Sequence, residues 1–250
     1  MKYIKDFLLM IQFMTRLPVN MNLPCENENF KRGTIFMPLV GLIIGIIQWG
    51  IFYLSIKILP LGIVAVLVVL SGILITGALH LDGLGDSCDG IFAFKGKDKI
   101  IEIMKDSRIG TYACIAIVFD ILVKIFTLAT ISNIKTSMII IATPIIGRTT
   151  LVFLFYIGKC AKSTGSGNLF IGNVGKKEVI ISLLIDIVLV LLLLGIMKGI
   201  ILISVALIFT MGFNRYCNNK IGGLTGDTLG ANNELVEIIV LIIFTASCNI

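Results

Sequence analysis

The chain has 250 residues, 57% of them hydrophobic and 14% charged, with a mean hydropathy of +1.02 and a formal net charge of +6. Soluble domains carry roughly a quarter charged residues, so a water-soluble globule is excluded and a single all-α, polytopic membrane bundle over residues 1–250 is expected. The six cysteines, at 25, 88, 114, 160, 217 and 248, form no CxxC pair, which argues against a disulfide framework or a zinc site.

The first 17 residues intersperse charges and lack a small-residue cleavage site, so no signal peptide is expected. Ile4, Phe7, Leu8 and Ile11 recur at helical spacing with Lys2, Lys5, Gln12 and Arg16 opposite them. This pattern describes an amphipathic helix lying on the membrane, closed by the prolines of "LPVNMNLP". A helical span needs about 20 mostly apolar residues. Seven transmembrane helices are expected, at 34–56, 61–81, 109–131, 137–157, 178–197, 199–213 and 234–249, the sixth short and set off by a hairpin at Lys198-Gly199. With the N-terminal segment cytoplasmic, the inner stretches hold sixteen Lys or Arg and the outer ones three. That bias orients a multi-pass protein of the cell (inner, cytoplasmic) membrane and explains the basic balance through anionic lipid, without nucleic acid.

With this orientation the polar clusters fall on the cytoplasmic side. In "HLDGLGDSCDG", Asp82, Asp86 and Asp89 stand at i, i+4 and i+7, within one arc of a helix. Carboxylates so close repel one another beside lipid, and a divalent cation relieves both costs; hard oxygen donors suit Mg²⁺. The alternative is a solvated loop. Gly83, Gly85 and Gly90 fit a broken helix end or the close approach of another backbone or a bulky ligand. A second cluster, "GGLTGDTLGANNELVE" at 222–237, places Asp227 and Glu234 seven residues apart on one helix side. Two such clusters could hold two metals in a displacement at phosphorus.

Arg148 lies inside the span 137–157, where a charge marks function or a buried ion pair, with Asp186 the expected partner. Arg108, Arg215 and Lys220 flank the acidic clusters and serve either phosphate or topology. Asp120 and Lys124 form an i, i+4 pair expected to neutralise itself. The loop 161–173, "AKSTGSGNLFIGN", closes over a polar substrate or merely links. His80 is the only histidine, no Ser/His/Asp or Cys/His set accompanies it, and neither a Walker A loop nor a GxGxxG fingerprint occurs.

Taken together, "QFMTRLPV", "GALHLDGLGDSCDG", "MKDSRIGTY", the Gly-Arg pair of the fourth span and "GGLTGDTLGANNELVE" resemble the cobalamin synthase (adenosylcobinamide-GDP ribazoletransferase) family, in the family's order from about residue 7 to 240. Gly85 and Cys88 stand where alanine or another small residue is usual. The resemblance implies an integral-membrane, Mg²⁺-dependent enzyme of cobalamin biosynthesis. Its substrates are adenosylcobinamide-GDP and α-ribazole or the 5′-phosphate of α-ribazole; it releases GMP and forms adenosylcobalamin or its 5′-phosphate. It implies Asp82, Asp86, Asp89 and Asp227 as metal ligands, and Arg108, Arg148 and Arg215 as cations that offset charge on the leaving phosphate. Glu234 or Asp89 would take the acceptor's proton, and Lys220 and His80 would contact substrate. A homo-oligomer is compatible with the sequence, which fixes no stoichiometry. Two rivals remain: a CDP-alcohol phosphotransferase, whose longer aspartate spacing "DGLGDSCDG" does not match, and a transporter, whose polar residues should be staggered through the bilayer.

Overall fold

The computed structural model describes residues 2–131 and 133–248. Its helices run in chain order as α1 (Lys2–Met14), α2 (Asn27–Gly33), α3 (Met37–Ser55), α4 (Leu61–Thr76), α5 (Leu79–Ile91), α6 (Lys97–Ile103), α7 (Thr111–Leu128), α8 (Ile134–Ser137), α9 (Ile139–Ile157), α10 (Lys176–Leu194), α11 (Ile196–Ile221) and α12 (Gly226–Cys248). No strand occurs among the described residues. A single bridge between Cys160 and Leu224 ties the loop after α9 to the turn before α12.

The fold is organised around α9, which is buried almost from end to end, Pro144 included. Such burial inside a bundle follows from a sequence apolar on all sides. On α3, Gly41 and Gly45 let the two backbones touch: a methyl on Gly45 would lie 2.7 Å from the Ile141 α-carbon, the close approach that small residues four apart permit in membranes. α1 turns Leu9, Met10, Ile11 and Met14 inward and leaves Tyr3 and Ile4 exposed. It is therefore docked on the bundle as well as amphipathic. Its Asp6 is buried, accepting from Asn29 Nδ2 at 2.8 Å and Arg32 Nε at 2.9 Å, which fixes α1 against α2.

Three expected span boundaries shift, each for a local reason. The segment 61–81 stops at Thr76, because Gly77 (φ 61°) and Ala78 (φ 58°) are left-handed; α5 then leaves at 89° to α4. The segment 199–213 is part of the 26-residue α11, and the turn before it sits at Gly195 (φ 81°) rather than at Lys198-Gly199. The last span begins at Gly226, not 234, because its acidic residues are packed into the bundle rather than held in a loop; residue 249, its expected end, lies outside the described residues.

Among the described residues, five helical segments are long and apolar enough to cross a membrane, and six if the bent α4–α5 pair counts as one. The fifth expected span, 178–197, corresponds to α10, which is not among them and carries Lys176, Lys177, Glu178 and Asp186.

Candidate active site

The acidic helix α5 lies directly on α12, with an apolar seam of Leu81, Leu84 and Ala231 between them. Two glycines set the distance. A methyl on Gly83 would lie 2.7 Å from the Asp227 carbonyl oxygen, and one on Gly230 would lie 3.0 Å from the His80 α-carbon. Of the two uses open to Gly83 on sequence, the molecule shows backbone approach. The start of α12 is fixed in turn by a reciprocal cap: Thr225 N–H donates to Thr228 Oγ1 at 2.8 Å, and Thr228 N–H to Thr225 Oγ1 at 3.2 Å.

This packing brings together Asp82 and Asp86 from α5 and Asp227 from the first turn of α12. Asp86 feels the charges of Asp82, Asp227, Asp89 and Lys162. A cavity of about 110 Å³ opens beside them, lined by His80, Asp82 and Asp227, by Ser166 and Gly167 of the 161–173 loop, and by Phe13 of α1. That loop is folded down onto the amino end of α12, where a methyl on Gly167 would lie 2.8 Å from Gly226 N. Among the described residues the carboxylates of Asp82 and Asp86 have no hydrogen-bond or ion-pair partner. Asp227 Oδ2 accepts from Thr225 Oγ1 at 3.2 Å and lies 4.0 Å from Lys162 Nζ. No three Asp, Glu, His or Cys side chains among the described residues close on a single point as a finished metal cage. The donor set nonetheless suits a hard cation such as Mg²⁺, which takes one or two carboxylates and keeps its remaining positions for water and phosphate oxygens.

The other expected site residues lie elsewhere. Asp89 shares the α5 arc, but its oxygens accept from Gly110 N–H at 2.6 Å and Ala113 N–H at 2.8 Å, so it caps α7. Arg108 is exposed and paired with Asp106 at 2.6 Å; hydrogen bonds from its side chain and then its backbone hold the Asp106 carboxyl down at about 2. Arg215 and Lys220 sit exposed on the last turns of α11, the latter 5.9 Å over the Tyr216 ring.

Glu234 lies two turns beyond Asp227, about 10 Å along the axis at 1.5 Å per residue. There it belongs to a second, largely buried group. Lys124 pairs with Glu234, with Asp120 at 3.1 Å and with Glu237 at 3.1 Å; Arg148 pairs with Glu237, and its Nη2 lies 3.5 Å from His80 Nδ1. A smaller cavity of about 60 Å³ opens beside this network. Asp186, the partner expected for Arg148, instead accepts from Thr149 Oγ1 at 3.1 Å. His80, buried in the first turn of α5, is the link between the network and the aspartate cavity.

Sequence reasoning did not single out Lys162 or Glu237. The signal for Lys162 was its place in the Gly/Ser loop; Glu237, one turn past Glu234, could have been found as the second partner a buried cation needs.

A multi-spanning helical membrane protein with a carboxylate-lined cavity at a helix break is the class this architecture defines. The chain belongs to the cobalamin-5-phosphate synthase family, whose model matches residues 6–245. It is 56% identical to the adenosylcobinamide-GDP ribazoletransferase of Clostridium tetani (strain Massachusetts / E88), over 98% of each chain. It is 54% identical to that of Clostridium kluyveri (strain ATCC 8527 / DSM 555 / NBRC 12016 / NCIMB 10680 / K1), over 96% of this chain and 95% of the relative. A third relative of the same name, from Clostridium botulinum (strain Langeland / NCTC 10281 / Type F), is 49% identical over 96% of this chain and 97% of the relative. No solved structure matches it.

Proposed function

We propose that this chain is an adenosylcobinamide-GDP ribazoletransferase whose reaction takes place in the cavity between α5 and α12. A hydroxyl oxygen of α-ribazole, or of its 5′-phosphate, attacks the phosphorus that carries the cobinamide. The bond from that phosphorus to the bridging oxygen breaks, and GMP leaves with the electron pair while the hydroxyl proton is released. Products are adenosylcobalamin, or its 5′-phosphate, and GMP. The observation that carries the reading is that Asp82 and Asp227 line one cavity and Asp86, on the same helix as Asp82, feels both their charges; Asp82 and Asp86 have no protein partner among the described residues.

Asp82, Asp86 and Asp227 are the residues that would hold Mg²⁺. The ion would neutralise the donor's diphosphate and stabilise the charge that develops on its leaving phosphate. The chain's own part is placement and charge. Lys162, on the 161–173 loop and 4.0 Å from Asp227, is set to offset negative charge on the departing GMP, and such pre-set cations supply much of the benefit in phosphoryl transfer. The loop and the end of α1 keep bulk water from the reacting groups. Asp89 and Glu234 already have their oxygens committed to α7 and to Lys124. The acceptor's proton therefore passes to the cavity carboxylates or to water. Holding two large substrates in line is itself worth up to about 7–11 kcal/mol in favourable cases.

We place the enzyme in the cell membrane with the cavity on the cytoplasmic face. The bias of Lys and Arg toward that face, and the supply of phosphorylated substrates from the cytoplasm, support the orientation. The test is direct. Protein in nanodiscs is given adenosylcobinamide-GDP, Mg²⁺ and α-ribazole or its 5′-phosphate, and GMP and the cobalamin product are followed by chromatography. Stoichiometric formation of both is expected; folded protein that forms neither with either acceptor contradicts the reading.

A further inference from the structure

The amino end of α5 gathers hydrogen-bond donors that lack acceptors. Because Gly77 and Ala78 break the chain, α5 starts afresh, and its backbone ladder resumes only at Asp82 N–H, which donates to Ala78 O at 2.9 Å. The N–H groups of Leu79, His80 and Leu81 precede that bond and have no partner among the described residues. Such a terminus carries partial positive charge.

Two side chains add to it. His80 is 4% exposed and lines the cavity. Arg148 can only donate, so with its Nη2 3.5 Å from His80 Nδ1, that nitrogen is the acceptor and the ring proton sits on Nε2. Nε2–H has no partner among the described residues. Arg16 follows two residues after Met14, which lines the same cavity. Its backbone N–H is anchored to Ile75 O at 2.6 Å, and the stem and Nε of its side chain lie against Gly77, at the break itself. The exposed guanidinium makes no ion pair or hydrogen bond among the described residues. Of the other cations, Arg148 is held by Glu237, and Lys162 stands 4.0 Å from Asp227 on the 161–173 loop.

An unpaired guanidinium, a buried imidazole N–H and a free helix terminus, all at one end of the helix that carries Asp82, form a receptor for a phosphate oxyanion. We propose that Arg16, His80 Nε2 and the first N–H groups of α5 bind the diphosphate of the nucleotide-activated corrinoid, with Arg16 as a phosphate-binding side chain. This rests on the transferase reading above. The donor is assigned because it brings a phosphate to the cavity whichever acceptor is used, whereas unphosphorylated α-ribazole has none. The bidentate geometry of a guanidinium matches two phosphate oxygens better than an ammonium does.

The experiment compares wild type, Arg16→Gln and Arg16→Lys in nanodiscs. GDP binding is measured by calorimetry in EDTA, and KM values are measured for adenosylcobinamide-GDP and for the acceptor. Wild type is expected to bind GDP without metal. Arg16→Gln should weaken GDP binding and raise the donor KM by about tenfold or more, leaving the acceptor KM within twofold and the Tm unchanged. Arg16→Lys should fall between the two. It also carries the test if Arg16→Gln fails to fold, since its charge and stem are retained. GDP binding by either variant equal to wild type, no GDP binding by wild type in EDTA, or a rise confined to the acceptor KM overturns the proposal. Failure of the transferase reading is separate: wild type then forms no GMP from the donor, whatever its affinity for GDP.

Discussion

Gly83 on α5 faces the main chain of Asp227 on α12 so closely that a methyl group there would lie 2.7 Å from the Asp227 carbonyl oxygen. The aspartate cavity depends on this contact, because the helix that carries Asp82 and Asp86 can approach Asp227 only with no side chain between them. Gly83→Ala should force α5 and α12 apart at a cost of about 1–3 kcal/mol, seen as a lower Tm, and should reduce GMP formation at least tenfold. Gly62→Ala is the control, since a methyl there meets nothing within 4 Å. Equal behaviour of the two variants would show that the close approach does not matter.

Lys124 gathers three carboxylates, Asp120, Glu234 and Glu237, in the interior of the bundle. Removing the cation leaves like charges buried together, so Lys124→Met should destabilise the protein by about 3–5 kcal/mol, read by thermal denaturation in detergent. Glu234→Gln should lower Tm more modestly and leave the shape of the pH–rate profile unchanged. A general base at Glu234 would give the opposite pattern, with Tm held and turnover lost.

Asp89 serves α7 by accepting from Gly110 and Ala113 N–H. Asp89→Ala should cost about 0.5–2 kcal/mol of stability, as loss of a helix cap does, with residual activity in proportion to the folded fraction. A fully stable but inactive Asp89→Ala protein would return this residue to the reacting groups.

Lys162 stands 4.0 Å from Asp227 and on the loop that covers the cavity. Lys162→Ala should raise the KM for adenosylcobinamide-GDP about tenfold, or about 1.4 kcal/mol, and lower kcat as well because the charge on departing GMP is no longer offset. Steady-state kinetics at saturating acceptor measure both.

Much of this site could be read before the structure. The i, i+4, i+7 spacing of Asp82, Asp86 and Asp89 is that of the helix found, and the glycines among them fit a helix end or a close approach, of which Gly83 shows the approach of a backbone. Side-chain direction was not legible: Asp89 points to α7, whose start lies at Thr111, and no local pattern announces that bond. Glu234 looked like a partner of Asp227 because both sit on one side of α12. Its partner Lys124 is 110 residues distant in the chain, and only tertiary packing brings it in. The same packing explains why the start of α12 was placed too late. The acidic residues 227–234 read as a helix outside the span, because the cation that lets Glu234 be buried, Lys124, lies on another helix.

The central claim is that transfer occurs at the carboxylates between α5 and α12. The most direct measurement is single-turnover GMP release from adenosylcobinamide-GDP and acceptor at saturating Mg²⁺, for wild type and for Asp82→Asn, Asp86→Asn and Asp227→Asn, each shown to be folded by its Tm. The account predicts that each substitution slows release by about a hundredfold or more, and that EDTA abolishes release by wild type. Wild-type rates in all three variants would place the chemistry elsewhere in the molecule.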